Sequence, residues 1–458
     1  MKFTILHTND IHSRFENFAK ISTKIKQLRD ENTLILDAGD FNDFMRIELQ
    51  GTDGRAGTKL LSISNYDAIA VGNNETFEGL DILSNMALEG KVPFLACNLY
   101  KLDLTPIEGI RKSIIVDKSG IKFLIIGASP ELHEFFKLYN IRTIDYKQAI
   151  KKEIDNNKGK YDICILLSHL GIWKDIDIAE TVDGIDIIIG GHTHTLMNKP
   201  EMVKNTIIHH SGCYGEYLGV IELNYSNGIK FFSGENVKVT DLGQNIEILD
   251  SIRESKEVAI DRLSKPLYYI QYNLWHDVME ENPITNLLAD ALKDLYKCDI
   301  GLVNSGVLSG GIKKGPVSLK KLLEICPSPL NPTLMEIQGR SIKKALEQSM
   351  YTDFCTQDGG GAGFRGRFLG KLHISGGIIE HDGRHIRSIY INGRKLEDEK
   401  WYTVGTSDYL QRGTGYTSLA NNRNPKYNHE YLRTILKDYI CKDEYIKEAF
   451  IERWVEKL

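Results

Sequence analysis

The chain has 458 residues, 41% hydrophobic and 26% charged, with a formal net charge of −5. That length exceeds what one ordinary hydrophobic core organises and predicts two domains, while the acidic balance, with no long Lys/Arg block, excludes a general affinity for nucleic-acid polymers. No stretch reaches the ~18 uninterrupted apolar residues of a membrane span, so no membrane partner is expected.

The N-terminus opens directly on a strand-like apolar run, Phe3 to Leu6, with no room for the basic, apolar and cleavage regions of a secretion signal. As numbered, the chain is expected in the cytoplasm, or outside the cell if a signal has been removed. The run leads into Asp10-Ile11-His12. Four later β-rich runs end in the same way: L-I-L-D-A-G-D at Asp40, A-I-A-V-G-N-N at Asn73, C-I-L-L-S-H at His169, and D-I-I-I-G-G-H-T-H at His192 and His194. Each alone is weak, since a single His after a strand is usually an ordinary loop residue. Five together deliver oxygen and nitrogen donors to the ends of successive strands. Continuous apolar runs alternating with helical patterns read as sheets covered on both faces, and such sheets carry their sites at strand ends. Turns at Gly39, Gly72, Gly190 and Gly191 let the backbone come close to bound ions.

Further along, Ser211 to Val239 reads as a hairpin turning at Asn227-Gly228. Ile246, Leu249, Ile252, Ala259, Ile260 and Leu263 approximate helical spacing and predict a connecting helix within 241–265. Asn282 and Pro283 supply an N-cap and a first helical position for a helix through Tyr296, followed by a strand from Asp299 to Asn304. The seven cysteines are scattered without a C-x-x-C pair, which favours reduced thiols. Cys326, in the loop I-C-P-S-P, is the one considered for a site, against simple packing.

With these blocks in place the chain resembles the 5'-nucleotidase / 2',3'-cyclic phosphodiesterase family, whose blocks read D-x-H, G-D, G-N-H-E, a lone His and G-H-x-H. The resemblance covers nearly the whole chain. It implies a four-layer α/β/β/α metallophosphoesterase sandwich over 1–240, the connecting helix over 241–265, and a second α/β (α+β) 5'-nucleotidase C-terminal domain over 266–458. It also implies two divalent metal ions (Mn, Zn, Fe or Co), one held by Asp10, His12 and His194, the other by Asn73, His169 and His192, with Asp40 bridging them. Mixed imidazole and carboxylate sets suit such ions, and a shared carboxylate holds two cations about 3.5–4 Å apart.

The departures are specific. Where the family has G-N-H-E-F-D, this chain has Gly72-Asn73-Asn74-Glu75-Thr76-Phe77, so the family's catalytic His is Asn74 and the Asp that pairs with it is Phe77. A bacterial subgroup with Asn at that position is the resemblance implied. Asn donates a hydrogen bond to a phosphoryl oxygen but delivers no proton, and loss of general acid catalysis removes ~10²–10⁴-fold of rate, less for a good leaving group such as a phosphoanhydride.

In the second domain the family sandwiches a base between two rings, which correspond here to Phe368 (in G-R-F-L) and Tyr409 (in S-D-Y-L). Its phosphate-binding block N-x-G-G-I-R reads Asn304-Ser305-Gly306-Val307-Leu308-Ser309, without the arginine. Its F-x-x-x-G-G-D-G-Y becomes Tyr409-Leu410-Gln411-Arg412-Gly413-Thr414-Gly415-Tyr416, one residue shorter and without the Asp. Arg365, at the end of the glycine run 359–363, and Arg412 are the expected anion binders. The implied activity is metal-hydroxide hydrolysis of nucleotides or related small phosphate compounds. The alternatives are a nucleotide-sugar or coenzyme pyrophosphohydrolase, a cyclic-nucleotide phosphodiesterase, or a nucleotide sensor without turnover. Oligomeric state is left open.

Overall fold

A computed structural model describes residues 1–361 and 363–457. The chain divides into two compact units, Met1–Ile260 and Asp261–Leu458.

The first unit is built on two sheets. In the seven-stranded sheet the order is Ile229–Lys238, Tyr217–Tyr225, Lys2–Thr8, Thr33–Asp37, Ala68–Ala70, Phe94–Leu95 and Ile110–Arg111. The first two pairings are antiparallel and the rest parallel. The six-stranded sheet runs Glu201–Val203, Thr206–His209, Ile187–Gly190, Ile163–Ser168, Ile121–Ala128 and Ser113–Lys118, parallel through its middle.

Side-chain alternation accounts for the layering. Phe3, Ile5, Leu34 and Leu36 from one sheet meet Phe123, Ile125, Ile165 and Ile189 from the other in a shared core, where Phe3 and Phe123 pack edge to face with centroids 5.3 Å apart. The alternate residues point outward. Leu6, Ile35 and Ile69 lie under Phe15, Phe18 and Leu60 of the helices on one side, and Leu124, Leu166 and Ile188 under Ile150 and Ile178 of those on the other. Strands such as Thr33–Asp37 and Ile163–Ser168 are buried along their whole length, which is why they read as unbroken apolar runs. The result is the four-layer α/β/β/α sandwich. The hairpin closes at Asn227 and Gly228, both with positive φ (50° and 108°), as its tight turn requires.

The helix Ile246–Leu263 packs on the helical layer of the first unit through Ile248, Leu249 and Ile252, and Lys59 pairs with Glu254 at 2.9 Å. The boundary between the units falls inside this helix.

In the second unit the helix Pro283–Tyr296 begins as expected, with the Asn282 Oδ1 accepting from the Thr285 N–H at 3.2 Å and the Thr285 hydroxyl at 2.7 Å. Its residues Ile284, Leu287, Leu288 and Leu292 are fully buried. A mixed sheet ordered Leu372–Ser375, Ile300–Asn304, Trp401–Ser407, Pro332–Gln338 and Asn422–Tyr427 supplies the rest of the core, flanked by a four-stranded sheet. All seven cysteines are free. Among the described residues no helix is long and apolar enough to cross a membrane.

A close helix contact in the first unit depends on Gly51. A Cβ there would lie 2.2 Å from the Ala259 Cβ, well inside van der Waals distance. Gly51→Ala is expected to cost about 1–3 kcal/mol of stability through overpacking. Thermal denaturation reads this as a lowered Tm, with metal bound per chain unchanged.

Candidate metal centre

The donors predicted from the sequence come from the carboxyl ends of parallel strands in both sheets. Asp10 and His12 follow Lys2–Thr8, Asp40 follows Thr33–Asp37, and Asn73 and Asn74 follow Ala68–Ala70. From the other sheet, His169 follows Ile163–Ser168, and His192 and His194 follow Ile187–Gly190. Five of these residues sit in the left-handed region: Asp10 (φ 50°), His12 (45°), Asp40 (55°), His192 (75°) and His194 (54°). Such conformations cost of order 1–3 kcal/mol each and persist where surroundings over-determine them. Here the loops are zipped to one another. The Asp10 N–H donates to the Gly39 carbonyl, that of His12 to Asp40 and that of Ser13 to Phe41, each at 2.9 Å, and the Tyr214 N–H donates to the Asp10 carbonyl at 2.7 Å.

The side chains converge in two overlapping sets. Asp10, His12 and His194 form one, and Asp10, Asp40 and His169 the other, each with its ligand atoms within 4.8 Å of one another. Asp10 Oδ1 lies 3.3 Å from His194 Nε2, 3.7 Å from His12 Nε2 and 3.8 Å from His169 Nε2. Asp40 Oδ2 lies 3.3 Å from His169 Nε2 and 3.8 Å from His12 Nε2, between the two sets. The His12 and His194 Nε2 atoms face each other at 3.1 Å. His192 Nδ1 contacts Asn73 Oδ1 at 3.1 Å, and its ring centroid is 5.2 Å from that of His169. All seven expected donors are therefore gathered in one place.

This set of atoms fits divalent cations. His169 is buried and its Nδ1 lies 2.7 Å from the Ala38 carbonyl, which fixes the proton on Nδ1 and turns Nε2 toward two carboxylates. That Nε2 has no hydrogen-bond partner of its own, so positive charge, a proton or a metal ion, is needed there. Burial alone would push the imidazolium down, but Asp40 and Asp10 outweigh it and hold His169 up at about 10. His194 is likewise held at about 10 by hydrogen bonding to Asp10 and to the Cys213 thiol. Against the pull of burial, the facing histidines hold Asp40 down at about 2 and Asp10 well below the usual carboxylate range.

Buried carboxylates behind the donors accept from the loop backbone and hold the loops in place. Glu75, absent from the predicted set, accepts from the backbone N–H groups of Gly72 (2.9 Å), Asn42 (3.0 Å) and Asp40 (3.1 Å). Burial, followed by the Asp40 charge, raises its carboxyl to about 7. Asp37 accepts from the Gly39 N–H at 2.8 Å and the Thr8 hydroxyl at 2.6 Å. The sequence signals for these were present but thin: a Glu directly after the Asn73-Asn74 donors, and an Asp three residues before Asp40. Cys213, beside His194, was also missed. The cysteine singled out instead, Cys326, is fully buried with its thiol pushed up to about 12, and packs in the core of the second unit.

At position 74 the Asn side chain donates to Asp40 Oδ2 at 2.6 Å and its N–H to Asp40 Oδ1 at 2.8 Å. Phe77, where the family carries an Asp, packs on Tyr139 with ring centroids 5.9 Å apart.

The sequence places Phe368 and Tyr409 as the two rings of a base clamp, and in the structure a third ring, Phe364, lies against Tyr409. Tyr409 is 1% exposed and stacks on Phe364, with centroids 4.6 Å apart and planes 23° from parallel. Phe368 lies four residues on and has the Arg367 guanidinium 4.8 Å over its face. Phe364 sits in the same glycine- and arginine-rich stretch, where composition does not distinguish it from Phe368. Ala362 of that stretch lies outside the described residues. Arg412 is paired with Asp408 at 2.5 Å, Arg365 donates to the Phe364 carbonyl at 3.2 Å, and Asn304 is buried with its amide donating to the Leu369 carbonyl at 2.5 Å. Of these, Asn304 shapes the loop that carries Phe368 rather than facing outward.

Residues 3–196 match the family model of the calcineurin-like phosphoesterases, and residues 261–421 that of the 5'-nucleotidase C-terminal domain. An uncharacterized metallophosphoesterase, YunD, of Bacillus subtilis is 30% identical over 95% of this chain and 98% of its own length. The chain belongs to the calcineurin-like metallophosphoesterases that carry a 5'-nucleotidase C-terminal domain. This metallophosphoesterase is thus a hydrolase of phosphoester bonds using a dinuclear divalent metal centre. A 5'-nucleotidase of Diplobatis ommata is 25% identical over 92% of this chain and 84% of its own. The fold is shared with a Haemophilus influenzae NAD nucleotidase (TM-score 0.68, 18% identity, 100% and 98% of the two chains).

Because Asp40 Oδ2 faces histidines of both sets, Asp40→Ala is expected to lower bound metal from two ions per chain toward one or none and to abolish phosphate release. Elemental analysis of the purified protein checks the first, and full activity in the variant would rule out Asp40 as a shared ligand.

Proposed function

We propose that the enzyme releases phosphate from nucleotides or related small phosphate compounds, with the strongest advantage on phosphoanhydride leaving groups. The observation that carries the metal chemistry is the convergence of Asp10, Asp40, His12, His169 and His194 on one another. Asp10, His12 and His194 would hold one cation and Asn73, His169 and His192 the other, with Asp40 between them. When bound, two such cations activate water and neutralise charge developing on the phosphoryl oxygens.

What this chain's own residues add is selective. Asn74 stands beside Asp40 with amide protons that can hold a phosphoryl oxygen. It has no proton to give an alkoxide. Phe77 closes off the position from which a carboxylate would support an imidazolium. A leaving group that departs as phosphate needs no such proton, which favours the pyrophosphohydrolase variant of this reading. The presence of every metal donor argues for a variant of the family machinery rather than for decay, and hence against a sensor without turnover.

The nucleotide reading rests on the aromatic pair in the second unit. A base sandwiched between two rings needs them about 7 Å apart, twice the ~3.5 Å of van der Waals contact. At 4.6 Å, Phe364 occupies the face of Tyr409 that a base would use. Phe364 is therefore the ring that yields, on its glycine-rich loop, and Tyr409 the fixed platform. Arg365 and Arg412, both already engaged, remain the proposed anion contacts from this unit.

A phosphate-release screen over mono-, di- and cyclic nucleotides, nucleotide sugars and coenzyme A, with Mn, Zn, Co and Mg, tests the assignment. Asn74→His is expected to raise the rate more for alkyl phosphate esters than for anhydrides, and an equal change in both would remove the leaving-group role from position 74. Tyr409→Leu is expected to reduce kcat/KM for nucleotides about tenfold, from a stacking contribution of about 1–3 kcal/mol per ring. Hydrolysis of a generic aryl phosphate should stay nearly intact, and equal losses on both substrates would make Tyr409 a core residue only.

A further inference from the structure

We infer that Asn9 is a positioning residue that determines which oxygen of Asp10 faces the metal ions, an inference that rests on the dinuclear reading of the centre. Asn9 follows the Lys2–Thr8 strand and is 2% exposed. Its Nδ2 donates to Asp10 Oδ2 at 2.8 Å and to the Gly212 carbonyl at 2.6 Å. Its Oδ1 accepts from the Ser211 N–H at 2.9 Å and from the Ser211 hydroxyl at 2.6 Å. Both protons and both lone pairs of the amide are thus used. Ser211 and Gly212 follow Thr206–His209, a strand of the opposite sheet, so one side chain ties the ends of both sheets to the carboxylate.

Asp10 is the residue common to both metal-capable sets. Its Oδ2 takes the Asn9 amide at 2.8 Å and the His192 N–H at 2.9 Å, the latter reaching Oδ1 only at 3.2 Å. With Oδ2 engaged by two donors, Oδ1 is the oxygen that points at the Nε2 atoms of His194, His12 and His169. Asp10 would then ligate its cation through Oδ1, at a lower coordination number than a chelating carboxylate would impose. No other side chain of this size satisfies the position. Two donors come from Ser211, and two acceptors, Gly212 O and Asp10 Oδ2, wait on the other side; an amide matches both, while a carboxylate accepts only and would set a second negative oxygen against Asp10.

The experiment strips the protein of metal and titrates it with Zn²⁺ by calorimetry, for wild type, Asn9→Asp, Asn9→Ala and Ser211→Ala, with circular dichroism confirming the fold. Loss of a partner that orients a ligand typically weakens metal binding ~10–100-fold, and that loss is expected in both Asn9 variants. Ser211→Ala keeps both donors of Asn9 and is expected to lose distinctly less. The visible spectrum of the Co²⁺-loaded Asn9→Ala protein is expected to shift toward higher coordination as Oδ2 becomes available. Wild-type affinity in a folded Asn9 variant overturns the inference, and Asn9→Ala decides if the buried charge of Asn9→Asp prevents folding. An equal loss in Ser211→Ala also overturns it, because the effect would then come from the tie between sheets rather than from Asp10. Failure of wild type to bind Zn²⁺ would instead remove the dinuclear reading itself.

Discussion

Two buried carboxylates, Asp10 and Asp40, face the imidazole nitrogens of His12, His169 and His194 at 3.3–3.8 Å. Like charges and converging lone pairs in a pocket shielded from water are costly unless compensating positive charge is present. The surrounding structure is organised around that demand. Histidines near the carboxylates are held protonated well above their ordinary range, and the same atoms are placed to accept divalent ions. Metal binding and proton release are coupled through these groups, as in other sites built from imidazole and carboxylate.

Holding such a cluster together requires backbone conformations that ordinary residues avoid. Five of the donors occupy left-handed φ, and the loops that carry them are stitched by main-chain hydrogen bonds and by buried Asp37, Glu75 and Asn9. The strain is affordable because the two sheets beneath are packed face to face, with Thr33–Asp37, Ala68–Ala70, Ile163–Ser168 and Ile187–Gly190 buried along their whole length. Rigid strands deliver the loops, and the loops deliver chemistry.

Under the proposed function, catalytic character is set by substitutions beside the centre rather than in it. On that reading, Asn74, bonded to Asp40, and Phe77, packed on Tyr139, would leave the electrostatic part of phosphoryl transfer in place without supplying a proton donor. In the second unit Arg412 is tied to Asp408 and Phe364 lies on Tyr409, so the proposed base clamp would have to open before it could take a ring between its faces.

Local signals sufficed for much of this. Strand-end donors were legible because each followed an unbroken apolar run. The hairpin at Asn227-Gly228, the helix Ile246–Leu263 and the capped helix from Asn282 were legible because turn chemistry, periodicity and capping act over a few residues. Tertiary structure alone decided what depended on residues far apart in the chain meeting: Asp10 lying in both ligand sets, Cys213 beside a histidine, and Phe364 stacked on Tyr409. The same holds for Asn9, three of whose four hydrogen bonds reach across about 200 positions of sequence to Ser211 and Gly212. Residue type and spacing determine what a side chain can do; only the crossing of two sheets determines whose lone pairs it faces.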